Sequence, residues 1–128
     1  MSLEIQMLQA IGGQNAGAIT VQLTGSLDTA TAPDLEKELT PVLATPVKDV
    51  IFDLAQLKFI SSAGLRIFSI ARKQLKERGG QASFINMQPQ IEAVFEIIKA
   101  LPGVGVFANT AELDDYLAIQ QARHQQGG

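Results

Sequence analysis

Few side chains in this 128-residue sequence are of a type that does covalent chemistry, so their positions matter more than their number. There are no cysteines, which removes thiol nucleophiles, disulfides and cysteine-rich zinc sites. The only histidine, His124, lies in a polar C-terminal stretch, away from any serine it could activate. Asp114-Asp115 offers two adjacent carboxylates. No further ligand follows them at metal spacing, and acids in a helix's first turn favour the helix dipole on their own account. Gly103-Val104-Gly105 is too short for a dinucleotide fingerprint and reads as a helix stop before a strand; no Gly-x-x-x-x-Gly-Lys loop occurs. Neither a catalytic set nor a metal or cofactor site is expected. What remains is a pair of serines, Ser61-Ser62, followed by the small residues Ala63 and Gly64 and then by Arg66. Glycine inside a helix costs ~1 kcal/mol relative to alanine. Gly64 therefore needs a reason: tight packing at the helix start, or close approach there by another backbone or a partner.

The serines need a platform. Val50, Ile51, Phe52 and Leu54 make a nearly continuous run within Val47–Leu54, the pattern of a strand buried on both faces of a parallel sheet. A short link leads to Ser62–Glu77, where Leu65, Phe68, Ala71 and Leu75 recur at helical spacing until Arg78-Gly79-Gly80. Either Ser61 or Ser62 can cap this helix. Upstream, Leu3, Ile5 and Met7, then Ile19, Val21 and Leu23, alternate with polar residues and read as a hairpin around the turn-forming Gly12–Gly17. Thr31-Ala32-Pro33-Asp34 starts a helix, with Thr31 as cap, Asp34 returning the bond and Leu35, Leu39 and Val42 facing inward. Downstream, Ala82, Phe84 and Ile85 begin a strand, and Pro89 opens a helix carrying Ile91, Val94, Phe95 and Ile98 that stops at Pro102-Gly103. Val104–Phe107 is a short strand, and Asn109-Thr110-Ala111-Glu112 caps a last helix marked by Leu113, Tyr116 and Leu117. The order predicts one α/β domain over residues 1–128: a mixed sheet of about five strands, an N-terminal hairpin plus parallel strands, packed with about four helices and joined by right-handed crossovers. Its core spans about residues 4–119, and 120–128 is expected to fray.

Composition narrows the function. Hydrophobic residues are 46% and charged residues 18%, enough for a core without staples. A net charge of −3 argues against direct nucleic-acid binding. The apolar runs fall short of the ~18 residues a membrane span needs, and the N-terminus lacks a signal-peptide pattern. No membrane insertion and a cytoplasmic location are expected. Lys58, Arg66, Arg72, Lys73, Lys76 and Arg78 are six of the ten basic residues, with Glu77 the one acid among them. Such a cluster can steer an acidic partner; the plainer reading is a solvated helix face whose last cations, Lys76 and Arg78, complement the dipole. A helix N-terminus carries unpaired N–H groups and partial positive charge, so a phosphate on a serine there sits in a favourable field. It adds about −1.5 to −2 charges at one spot. A serine so placed can be a switch in a protein that does no catalysis.

The segment Asp53-Leu54, then after a spacer Phe59-Ile60-Ser61-Ser62-Ala63-Gly64-Leu65, resembles the signature of STAS domains, found in bacterial anti-sigma factor antagonists. Gly25-Ser26-Leu27-Asp28 with Thr29-Ala30-Thr31 resembles an earlier element of that family. The order of elements agrees from about residue 4 to residue 119. The resemblance implies phosphorylation at Ser62, with Asp28 on the neighbouring loop. It implies a partner surface of Asp28, Thr29, Ser61, Ser62, Ala63, Gly64 and Arg66. The implied partner is an anti-sigma factor that is also a serine kinase and holds the ATP and magnesium, with a PP2C-type phosphatase resetting the switch. The domain itself would be no enzyme, with room for a weak homodimer. Many phosphorylated members have Asp immediately before the serine; here that residue is Ser61, which becomes the alternative acceptor. STAS domains also serve transporters and lipid-transport complexes without phosphorylation, the alternative expectation. A nucleotide-binding domain is a third, disfavoured by the missing phosphate loop, metal cluster and base.

Overall fold

Alternation at the N-terminus sets one face of the sheet. In the computed structural model, which describes residues 2–9, 18–100 and 110–126, β1 (Leu3–Gln9) pairs antiparallel with β2 (Ala18–Leu27). β3 (Asp49–Ile60) and β4 (Gln81–Ile85) follow in parallel, and the sheet order among the described residues is β1-β2-β3-β4. The register aligns Met7, Val21, Phe52 and Phe84 in one row. On this face lie α1 (Ala32–Leu43), α2 (Ser62–Glu77) and α3 (Pro89–Ala100), whose Leu35, Leu39, Phe68, Leu75, Ile91 and Val94 share one buried cluster with Val21, Leu23 and Phe52. Phe52, Phe68, Phe84 and Phe95 meet ring to ring, with centroids 4.9 to 6.2 Å apart, which pins α2 and α3 to the middle of the sheet. The adjacent row, Gln6, Gln22, Asp53 and Ile85, is half-buried or exposed. β3 is therefore sealed on one face only, contrary to the expectation of two: Val50, Phe52 and Leu54 are buried, Ile51, Asp53 and Ala55 half-covered.

β3 also runs further than the sequence pattern suggests. It continues through the expected link to Ile60 because two register shifts against β2 absorb extra residues. Across them the buried positions change spacing, from Val50, Phe52 and Leu54 to Leu57 and Ile60. A bulge breaks strict alternation without ending the strand. The Asp53 carboxylate accepts the Ala55 N–H at 3.1 Å beside the first shift.

Because β4 is short, the last part of β3 has no strand beside it on that edge among the described residues. Side-chain amides stand in for one. Gln88 Nε2 donates to the Ala55 carbonyl at 2.8 Å and Gln90 Nε2 to the Lys58 carbonyl at 3.3 Å. Gln121, on α4 (Thr110–Gln126), takes the Ile60 N–H at 2.9 Å and donates to the Ile60 carbonyl at 2.8 Å. Gln90 and Gln121 are buried, and the large majority of buried polar groups are paired in this way. The last helix runs to Gln126. Arg78, placed by the sequence among solvated cations, instead donates to the carbonyls of Leu43, Thr45 and Val47, at 2.7, 2.8 and 3.2 Å. It binds the end of α2 to the α1–β3 connection.

The expected strand at Val104–Phe107, the turn at Gly12–Gly17, the stop at Pro102-Gly103 and the cap at Asn109 lie outside the described residues, as does the side chain of His124. Replacing Gln121 with Leu keeps the volume near the original but strands both backbone groups of Ile60. We expect Gln121→Leu to lower unfolding free energy by about 3 kcal/mol, measured by urea denaturation. A change within noise would mean that Ile60 is satisfied by other means.

Candidate functional site

β2 and β3 end side by side, with Leu27 opposite Ile60. The Ser61 N–H donates to the Leu27 carbonyl at 2.9 Å, so the two chain exits are tied together. From there one exit turns into α1 and the other into α2.

In the first exit Asp28 shapes the loop. Its Oδ1 accepts the N–H groups of Ala30 and Thr31, both at 3.0 Å. Thr31 Oγ1 accepts the Asp28 N–H at 2.9 Å and donates back to the Ser26 carbonyl at 2.8 Å. Thr31 thus makes no side-chain cap bond to α1, contrary to expectation; its hydroxyl faces the preceding strand, and Asp28 does the capping one turn earlier. Thr29 and Ala30 are left exposed at the tip.

In the second exit Ser61 is the extended residue before α2, but its side chain caps nothing. It is 4% exposed and its Oγ is buried without a hydrogen-bond partner. Ser62 is half-buried. Its N–H donates to Asp114 Oδ1 at 2.7 Å and its hydroxyl to Asp114 Oδ2 at 3.0 Å. The cap of α2 is therefore a carboxylate from α4, 52 residues away in sequence. Sequence reasoning assigned Asp114 to the first turn of its own helix and missed this role. One signal could have pointed to it: the first turn of α2 holds no acid of its own.

Gly64 is buried, and the packing alternative has a geometric basis. A Cβ there would lie 2.6 Å from Leu27 Cγ, 2.8 Å from Leu27 Cδ2 and 3.0 Å from Ile60 Cγ1. Glycine lets α2 settle onto the ends of β2 and β3. Ala63 is half-buried and Arg66, one turn past Ser62, is exposed. Arg66, Arg72, Lys73 and Lys76 stand exposed along α2, and Arg72, Lys73 and Lys76 border a groove of about 540 Å³ beside Gly80 and Gln81. On the other flank a groove of about 310 Å³ separates α1 from α2, lined by Glu36, Leu39, Leu43, Ile67, Ile70 and Gln74, with Ile70 40% exposed. The described residues contain no cluster of three metal-ligating side chains. The site offers an oriented hydroxyl, a shaped loop and a row of cations, which suit recognition.

The profile of the STAS domain matches residues 12–113. The chain belongs to the STAS domain family. Among its relatives is BtrV of Bordetella bronchiseptica, provisionally named an anti-sigma factor antagonist, 36% identical over 81 residues that cover 63% of this chain and 70% of that one. The anti-sigma-B factor antagonist of Staphylococcus aureus is 30% identical over 77 residues, covering 60% of this chain and 71% of the relative. In fold, the STAS domain is similar to the anti-sigma factor antagonist SpoIIAA in its unphosphorylated form, with a TM-score of 0.62 at 18% identity, covering 73% of this chain and 83% of that one.

Two substitutions separate packing from polarity at this junction. Gly64→Ala should lower stability by about 2 kcal/mol, because the fully buried Leu27 and Ile60 have nowhere to retreat. Ser61→Ala should leave stability unchanged or raise it by up to about 1 kcal/mol, since it removes a buried hydroxyl that pairs with nothing. Thermal unfolding by circular dichroism reads both; a destabilised Ser61→Ala would reveal a bond that the geometry does not contain.

Proposed function

We propose that this STAS domain is an anti-sigma factor antagonist, a binding module whose hold on an anti-sigma factor is switched by phosphorylation of Ser62. The observation that carries the reading is the position of Ser62. Its hydroxyl heads α2, next to the Asp28–Thr31 loop and one turn from the exposed Arg66. The names of the relatives support the same partner class.

Between the two serines, burial favours Ser62 as acceptor, because Ser61 Oγ is covered and beyond the reach of a modifying protein. In the transfer, Ser62 Oγ attacks the γ-phosphorus of ATP held by the partner kinase. The Oγ–P bond forms, the bond from the γ-phosphorus to the β–γ bridging oxygen breaks, ADP leaves, and the hydroxyl proton passes to a base on the kinase. ATP and magnesium belong to that partner, and this domain supplies no cofactor. A PP2C-type phosphatase reverses the change by hydrolysis, releasing inorganic phosphate and restoring the hydroxyl. In the unmodified state Thr29, Ser62, Ala63 and Arg66 face the anti-sigma factor, and Asp28 holds the loop in shape. The cations of α2 steer an acidic surface toward them. A phosphate placed there brings about −1.5 to −2 charges into the contact, and burying that charge unpaired opposes docking. The reading places the switch in the cytoplasm, with transcription as its output.

The test uses an anti-sigma factor kinase encoded by the same genome, Mg-ATP and intact-mass spectrometry. One phosphate should appear on the wild-type chain and none on Ser62→Ala. Ser62→Asp should weaken binding by calorimetry about tenfold or more with an unchanged dichroism spectrum. Phosphate mapped to Ser61, or full affinity in Ser62→Asp, would overturn the assignment.

A further inference from the structure

Asp114 already occupies the position that a phosphate on Ser62 would seek. Its two oxygens take the backbone N–H and the hydroxyl of Ser62, at 2.7 and 3.0 Å. We propose that Asp114 and a phosphoryl group on Ser62 exclude each other, so that modification loosens the N-terminal half of α4 and a second face of the domain reports the state of Ser62. This rests on the reading of Ser62 as the modified residue and concerns how that same site is regulated.

The argument is one of donors and acceptors. An ionised carboxylate only accepts hydrogen bonds. The hydroxyl hydrogen that Asp114 Oδ2 takes is lost when Oγ becomes an ester oxygen. The phosphate that replaces it carries about −1.5 to −2 charges and, as the dianion, also only accepts. The donor still available to Asp114 is the Ser62 N–H, and the phosphate is drawn to that same end of α2 by the unpaired N–H groups and the dipole. Two anions then compete for one donor, at a separation where the hydrogen bond held them together before.

The architecture says where the strain goes. Leu113, Asp114, Leu117 and Gln121 recur at helical spacing on one side of α4, with both leucines and Gln121 buried. Besides the packing of Leu113 and Leu117 in the core, this side makes two polar attachments. Asp114 grips the start of α2, and two turns later Gln121 grips Ile60 at the end of β3. Phosphorylation cancels the first grip and leaves the second untouched. α4 therefore opens from its N-terminal end and stays attached near Gln121.

The experiment installs phosphoserine at position 62 during synthesis of the full chain and follows hydrogen–deuterium exchange, with no kinase or partner needed. Peptides over residues 111–118 should exchange about tenfold faster than in the unmodified chain, while β2, β3 and the second half of α2 keep their protection. Asp114→Asn is the discriminating variant. Its amide can still accept the Ser62 N–H and can also donate to the phosphate, so phosphoserine should change its α4 exchange less than about twofold. Unchanged exchange in the phosphorylated wild-type chain would overturn the proposal. So would an equal response in Asp114→Asn, or a loss of protection spread over the whole sheet. Because the phosphate is placed synthetically, such a failure leaves the kinase reading standing, and a kinase that ignores Ser62 leaves this coupling standing.

Discussion

A helix that begins without an anion of its own must borrow one. The first turn of α2 contains Ser62, Ala63, Gly64 and Leu65 and no acid, and the serine before it turns its side chain inward. Orphan N–H groups at a partly buried helix start are a real cost, since a good cap is worth about 1 kcal/mol and a well-placed charge up to about 2 kcal/mol. The chain meets it with Asp114 from α4. This single dependence fixes much else. α4 must cross the end of β3, α2 must start where α4 can reach it, and the residue that receives the borrowed charge must keep a donor.

A second dependence follows from unequal strand lengths. β3 is 12 residues long and β4 is 5, so among the described residues no strand pairs with one edge of β3 where the site is built. A bare edge with unpaired backbone groups invites wrong pairing. Gln88, Gln90 and Gln121 close it with amide groups that mimic a neighbouring strand. The two bulges that lengthen β3 also rotate Leu57 and Ile60 into the core. Ile60 then forms part of the floor on which Gly64 packs. Backbone irregularity in β3 and the absence of a side chain at Gly64 solve one packing problem between them.

Periodic information was legible in the sequence and long-range polar information was not. Alternation in β1 and β2, the helical stripe of α2 and its boundaries at Ser62 and Glu77, and the oddity of Gly64 could all be read from local spacing. The run from Ala55 to Ile60 looks like a link in the sequence because bulges erase the period that marks a strand. For Asp114, Gln121 and Arg78 spacing does not name the partner. Each acts on backbone groups or a hydroxyl far off in sequence, and a polar residue on a helix looks the same whether it meets water or a carbonyl. Thr31 misled for a related reason: its type suits a cap, yet its hydroxyl finds a better partner in the Ser26 carbonyl behind it.

The polar groups around the junction divide by what they can afford to lose. Asp28, Thr31, Arg78 and Gln121 are bonded to backbone groups that no modification alters, so their geometry is the same whatever happens at the surface. Ser62 differs, because one of the two bonds that orient it depends on a hydrogen that phosphoryl transfer would remove. A domain built this way keeps its loops and its sheet while the chemistry at one oxygen changes. The stiff frame is therefore what gives that oxygen its influence: with Gly64 seated on Leu27 and Ile60, α2 cannot shift to relieve a new charge, and the relief must come from whatever is docked against its start.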